Sequence, residues 1–327
     1  MAVNAIGVIS GILTIVGFLE DNFGSGDVSG STIRVAVGLE GRDGEPPTDT
    51  GGDLPDIRVW NNNGVFTGIT ADPGSVGGGN VGSVEVSHDN QNVYSLFSAN
   101  NDAICVAWVT VENSDDRGGN RYAVSGDYGK ECGGTWYASG MFPTSDTEYE
   151  PPCFWIDGDG DQPKTGFQVR WPAFSGDAFD ENDTDPQKFC NDIDFGLREE
   201  DDPNTINFWT RKARKAKTKR VAAAPARAQW MASQLVISDA KTNSALELCG
   251  SATSLGPDFA HTGEGKFCDM GDKKLYGLCG DGVSDDCFDL EARALAPKSV
   301  RRGGVLPRLV SPYALVRDWR KNGTASR

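Results

Sequence analysis

The sequence predicts a mainly β protein: an antiparallel sandwich or jelly-roll-like domain, with an N-terminal apolar helix before it and a small disulfide-rich module after it. Three observations carry this. Short runs of Val, Ile, Thr and aromatic residues alternate with Gly-, Asp- and Asn-rich turns through the first two thirds of the chain. Eight cysteines fall four and four on either side of a basic segment. One apolar stretch, Ala5 to Leu19, opens the chain.

That stretch belongs to the first expected region, 1–30. It is too short to span a bilayer, no Lys or Arg precedes it, and Glu20 and Asp21 follow it. Three readings are open. It is the apolar core of a secretory signal, a helix whose small residues form a stripe, or a helix buried against its own domain. Gly7, Ser10, Gly11, Thr14 and Gly17 recur at three or four residues. A stripe of this kind, centred on Gly7, Gly11 and Thr14, lets helices approach closely and drive self-association, or dock on a membrane surface.

The acidic β domain is expected over 31–205. Thr32 to Gly38 alternates with β-branched residues. Ile57–Trp60 and Val65–Ile69 flank Asn61-Asn-Asn-Gly64, a strong hairpin signal. Further strands are read at Val84–Val86, Tyr94–Ser98, Ile104–Val111, Tyr122–Ser125, Cys153–Ile156 and Gly166–Trp171. After Cys190 the pattern gives way to loop around Glu199-Glu-Asp-Asp202.

A basic linker follows at 206–228. Seven of the ten residues 211–220 are Lys or Arg, and small Ala and Pro residues come next. Such a run repels itself and stays solvated. Lys219-Arg220 is a dibasic pair in an exposed linker, a candidate processing site. Arg301-Arg302 is a second one, so two pairs bracket a block with four cysteines. That block, 229–300, is the small module, with a helix or strand at Trp230–Ile237 and otherwise loop. The basic end, 301–327, is read as a removable tail.

Charge divides the same way. Residues 1–210 hold 10 Lys+Arg against 35 Asp+Glu, and 211–327 hold 21 against 12. The total of −16 argues against nucleic acid as the partner. With His88 and His261 as its two histidines, the chain holds no multi-histidine zinc site. Cys105, Cys132, Cys153, Cys190, Cys249, Cys268, Cys279 and Cys287 show no C-x-x-C spacing. Disulfides are the economical reading, and they imply an oxidising compartment and secretion. If each half closes its own pairs, three connectivities remain per half; Cys249–Cys268 and Cys279–Cys287 are the guess for the second. Asn182 and Asn322 head N-x-T glycosylation sequences.

Chemistry is sparse. Nucleophile-elbow, phosphate-loop and HExxH patterns are missing. Asp157-Gly-Asp-Gly-Asp161 places Asp157, Asp159 and Asp161 like the first ligands of a calcium loop, but Gln162 and Gln168 stand where such a loop needs Gly and Glu. Calcium is thus a weak candidate and no other cofactor is expected; a polar turn is the plain alternative. Trp108, Trp136, Tyr137, Trp155 and Trp171 are read as core, with a sugar-stacking platform as the alternative.

Several stretches together resemble a group of secreted, cysteine-containing proteins of filamentous fungi: Gly52–Asp56, Phe97–Cys105, Cys153–Asp157, Glu247–Ser254, Gly256–Phe259, Phe267–Met270 and Asp286–Leu290. The resemblance covers about two thirds of the chain. It implies secretion and a fungal source, and it brings no activity. The expectation is a secreted, non-enzymatic structural or self-assembling protein. A glycan- or membrane-binding effector-like module is the alternative, and a secreted hydrolase comes third.

Overall fold

The computed structural model describes residues 14–17, 22–23, 29–38, 50–143, 149–175, 185–208, 226–280, 285–296 and 313–320. It is mainly β and divides into two compact units. The described residues up to 208 form the first, and those from 226 onward the second.

In the first unit, the earlier sheet is antiparallel. Its strands run in the order Trp136–Tyr137 (β10), Cys153–Ile156 (β11), Ile104–Asn113 (β8), Gly30–Val37 (β1) and Val81–Ser87 (β6). Arg121–Ser125 (β9) pairs with the later half of β8. The β-branched alternation of β1 sets Ile33 opposite Val111 and Val35 opposite Val109, and every residue of β1 and β8 is buried. The other main sheet is also antiparallel. Its order is Phe195–Arg198 (β13), Gly166–Arg170 (β12), Tyr94–Ser98 (β7), Asp56–Trp60 (β3) and Phe66–Thr70 (β4). Gly52–Asp53 (β2) and Ser75–Val76 (β5) form a small separate pair.

The two main sheets share an aromatic core. Phe154 on β11 meets Phe167 on β12 at 5.0 Å and Phe195 on β13 at 6.0 Å between centroids. Phe97 on β7 stacks on Phe167 at 4.4 Å. A short helix, Gly126–Glu131, closes this core with Tyr128 against Phe174 and Phe189. Its Gly129 has no room for a side chain, since a Cβ there would lie 2.1 Å from the Phe154 ring. Cys105–Cys153 joins β8 to β11, and Cys132–Cys190 ties the helix end to the turn Pro186–Phe189. Between Cys190 and the acidic stretch Glu199-Glu-Asp-Asp202, which is loop as expected, lies strand β13, which sequence reading did not find.

The second unit is a seven-stranded mixed sheet rather than the loop-rich module expected. Gln234–Ser238 (β14) lies parallel to both Asp258–His261 (β15) and Leu315–Asp318 (β20). Lys266–Asp269 (β16), Lys274–Leu278 (β17), Cys287–Asp289 (β18) and Ala294–Leu295 (β19) extend it beyond β15. Two of its hairpins use the same turn. Asp269 Oδ1 accepts from the backbone N–H of Gly271 and Asp272, and Asp289 Oδ1 from those of Glu291 and Ala292. Each turn then closes on a left-handed residue, Lys273 at φ 52° and Arg293 at φ 53°. Leu235, Ile237, Ala260, Phe267 and Phe288 make the core, with Phe267 stacked on Phe288 at 3.8 Å. Cys249–Cys268 pins the helix Ala245–Gly250 to β16, and Cys279–Cys287 links the end of β17 to β18.

Strand β20 corrects the reading of 301–327 as a removable tail. Val316 packs on the core of the second unit, and Tyr313 donates to Asp258 Oδ2 at 2.6 Å. The expectation failed because the periodicity of a four-residue strand is too short to stand out.

Candidate functional site

Side chains alternate across a strand, so Phe167 points into the shared core and Gln168 points away from it. The outward face of the second sheet carries Arg58, Trp60, Tyr94, Leu96, Ser98 and Gln168. It is covered by a strap, residues 201–208, that runs across it.

Each hold on the strap is specific. The Gln168 amide behaves like a rung of backbone ladder: its Nε2 donates to the Asn207 carbonyl at 2.6 Å, and its Oε1 accepts from the Asn207 N–H at 2.8 Å. Nε2 also donates to the Ile193 carbonyl, which leaves this fully buried side chain satisfied. Arg58 donates to the Pro203 carbonyl at 3.3 Å and pairs with Asp202 at 3.1 Å. Ser98 Oγ donates to the same Pro203 carbonyl. Ile206 fills the apolar cluster of Trp60, Val93, Tyr94 and Leu96.

The strap ends at the tip of the β3–β4 hairpin. Asn61 Oδ1 shapes that turn by accepting from the backbone of Asn63 and Val65, and Gly64 sits at φ 72°. Phe208 lies over Gly64, with ring atoms 3.0 Å from where a Cβ would be. Beside it Phe66 meets Trp60 edge-on at 5.5 Å. The result is an open apolar surface: Val65 is 56% exposed, Phe66 51%, Ile69 43% and Phe208 39%. Among the described residues of the first unit these are the large exposed hydrophobics. From Val59 to Ala71 the sequence carries no charge. β4 itself is not an open edge, because Gly68 abuts the Ser87 carbonyl and Thr70 Oγ1 donates to the Glu85 carbonyl at 2.6 Å.

A second polar assembly lies inside the first unit. Ser31 Oγ is 2.7 Å from His88 Nε2 and 2.7 Å from Asn113 Oδ1. His88 Nδ1 faces the Asn90 carbonyl. Asn113 Nδ2 is buried without a hydrogen-bond partner among the described residues. Ser31 Oγ donates to Asn113 Oδ1, and the His88 ring lies between Ser31 Oγ and the Asn90 carbonyl. Ser31 is fully buried, so this chain of bonds serves packing and not nucleophilic attack. Burial lowers the His88 pKa from its ordinary 6.5, and the backbone bond to Asn90 opposes that.

The residues singled out by sequence fare unequally. Asp157 is buried, and its Oδ2 accepts from the N–H groups of Gly160 and Gln162, so it organises the turn between β11 and β12. Asp159 and Asp161 are exposed. Among the described residues no three His, Cys, Asp or Glu side chains gather as metal ligands. Trp108, Trp136, Tyr137, Trp155 and Trp171 are all buried, which removes the stacking platform. Thr14 to Gly17 form a helical turn with Ile15 buried. Gly7, Gly11, Asn182, Lys219, Arg220, Arg301, Arg302 and Asn322 lie outside the described residues. Among those described, no helix is long and apolar enough to cross a membrane. Sequence reading missed the strap, and it met Gln168 only as a residue unsuited to a calcium loop; the signal available was Phe195-Gly-Leu-Arg198, a short strand hidden before an acidic run. Compared with known proteins, the chain matches no family model, no curated protein and no solved structure.

Proposed function

We propose that this is an extracellular, non-enzymatic β protein that works by associating with further copies of itself. One observation carries the reading: the uncharged apolar surface of Val65, Phe66, Ile69 and Phe208. Residues 1–210 hold 35 acidic against 10 basic side chains, so copies of the first unit repel one another over most of their surface. An uncharged tip is where two such units can touch without opposing carboxylates, and burying its apolar area favours contact. Four disulfides are consistent with an extracellular setting.

The reading includes three finer points. The first unit is taken as a two-sheet sandwich, on the strength of the Phe154 contacts with Phe167 and Phe195. The resemblance to secreted fungal proteins is retained as its source. Processing is assigned to Lys219-Arg220, because a cut at Arg301-Arg302 would remove β20.

Sedimentation of the full chain tests this. The wild type is expected to sediment as dimers or larger species in a concentration-dependent way, and Phe66→Asp as a monomer with unchanged thermal stability. A wild type that stays monomeric at every concentration sinks the proposal.

A further inference from the structure

The tip of the β3–β4 hairpin carries a chemically reactive pair. Asn63 precedes Gly64, and among the described residues no other Asn is followed by Gly. An asparagine side chain can reach the backbone nitrogen of the next residue, and a glycine there puts no Cβ in the way. The Gly64 nitrogen gives up its proton and bonds to Asn63 Cγ. The side-chain nitrogen takes up a proton and leaves as ammonia, which closes a cyclic imide. Water then opens the ring at either carbonyl, giving Asp or isoaspartate. Nothing is oxidised or reduced, and a neutral amide becomes a carboxylate.

The turn needs the glycine but not the amide before it. Gly64 sits at φ 72°, and a Cβ there would lie 3.0 Å from the Phe208 ring, so both backbone and strap demand Gly. Asn61 is demanded too, since its Oδ1 accepts from the N–H groups of Asn63 and Val65. Asn63 is exposed, and its side-chain amide makes no hydrogen bond among the described residues. One bond opposes the reaction: the Gly64 N–H donates to the Asn61 carbonyl at 3.0 Å. The nitrogen must leave that bond before it attacks, which makes the conversion slow in the folded protein. Asn62 is equally exposed but is followed by a residue with a Cβ, so it supplies a comparison within the same turn.

The new charge would arise where it matters for contact. Val65 and Phe66 follow Gly64 directly, and the stretch from Val59 to Ala71 carries no charge. Residues 1–210 hold 35 acidic against 10 basic side chains, so a carboxylate at position 63 extends the repulsion between copies onto the tip. We propose that Asn63 is a deamidation site and that its slow conversion is a one-way timer ending self-association through the hairpin tip. The timer rests on the function proposed above; the site does not.

Ageing of the full chain tests both parts. Freshly purified protein is held at mildly alkaline pH and sampled over weeks. Peptide mapping is expected to show NH replaced by O at Asn63 ahead of Asn62 and every other described Asn. In sedimentation, fresh Asn63→Asp is expected to associate about tenfold or more weakly than fresh wild type. Asn63→Gln, which stays neutral and closes no such ring readily, is expected to associate as wild type does and to keep doing so after ageing. The side chain is exposed, so neither variant should shift the thermal transitions. Conversion of other described asparagines with Asn63 intact overturns the site. Converted protein that associates as tightly as fresh protein overturns the timer. A fresh wild type that is monomeric overturns the self-association reading and the timer with it, and the peptide map alone then decides the site.

Discussion

The two units close their sheets with cross-links of different reach. In the first, the bridged cysteines are 48 and 58 residues apart; in the second they are 19 and 8 apart. The first unit gathers strands distant in sequence, with β1 beside β8 and β3 beside β7. The second builds β15 to β19 as sequential neighbours and recruits one distant strand, β20. Wide loops cost more entropy to close, so a cross-link there constrains the unfolded chain more. The comparison teaches that the disulfides in the first unit hold topology, whereas those in the second staple local hairpins.

Removing cross-links breaks the comparison most forcefully. Replacing Cys105 and Cys153 together by Ser is expected to destabilise the first unit by about 4 kcal/mol, and the same change at Cys279 and Cys287 the second by about 2.5 kcal/mol. Scanning calorimetry should show one transition moving in each case; equal shifts of one common transition would remove the distinction. A smaller effect is expected at the distant strand. Tyr313→Phe deletes the bond to the buried Asp258, whose carboxyl is pushed above its ordinary range by burial and held by Arg227 at 2.8 Å. The second unit should lose about 1–2 kcal/mol, with the first unchanged. No loss would return 313–320 to the status of a dispensable end.

The smallest effect is a pH dependence confined to the first unit's His88. Burial lowers its folded pKa below the 6.5 of the unfolded chain. Unfolding therefore takes up a proton between those two values, and stability falls as pH drops from about 6.5 toward the folded value. Urea midpoints measured across this range should decline in the wild type and decline less in His88→Gln. Identical profiles would mean that folding leaves the His88 pKa unshifted.

Strands with turn residues at both ends were legible from sequence. Tyr94–Ser98 and Cys153–Ile156 coincide with β7 and β11 as read, and Asn61-Asn-Asn-Gly64 turns the β3–β4 hairpin. Two-residue strands such as β2 and β10 carry no periodicity to find. Phe195–Arg198 and Leu315–Asp318 are short, and one precedes an acidic run while the other sits in a basic end, so charge hid them. The candidate surfaces were less legible still. Val65 and Phe66 entered only as the start of a strand, because hydropathy does not tell which face of a strand is covered. Gln168 entered the reading only as a residue unsuited to calcium, since its partner Asn207 lies 39 residues away and the pairing is made by the fold.

The placement of the cross-links has a consequence for how the chain can be divided. All four join residues within one unit, and none bridges the basic segment 209–225. A single peptide-bond cut there, at Lys219-Arg220 for instance, would leave two polypeptides of opposite net charge with no covalent tie between them. Each would carry away its own pair of bridges, so neither would depend on the other for oxidation state. One gene product would thus become an acidic species and a basic one, separable by ion exchange without reducing agent.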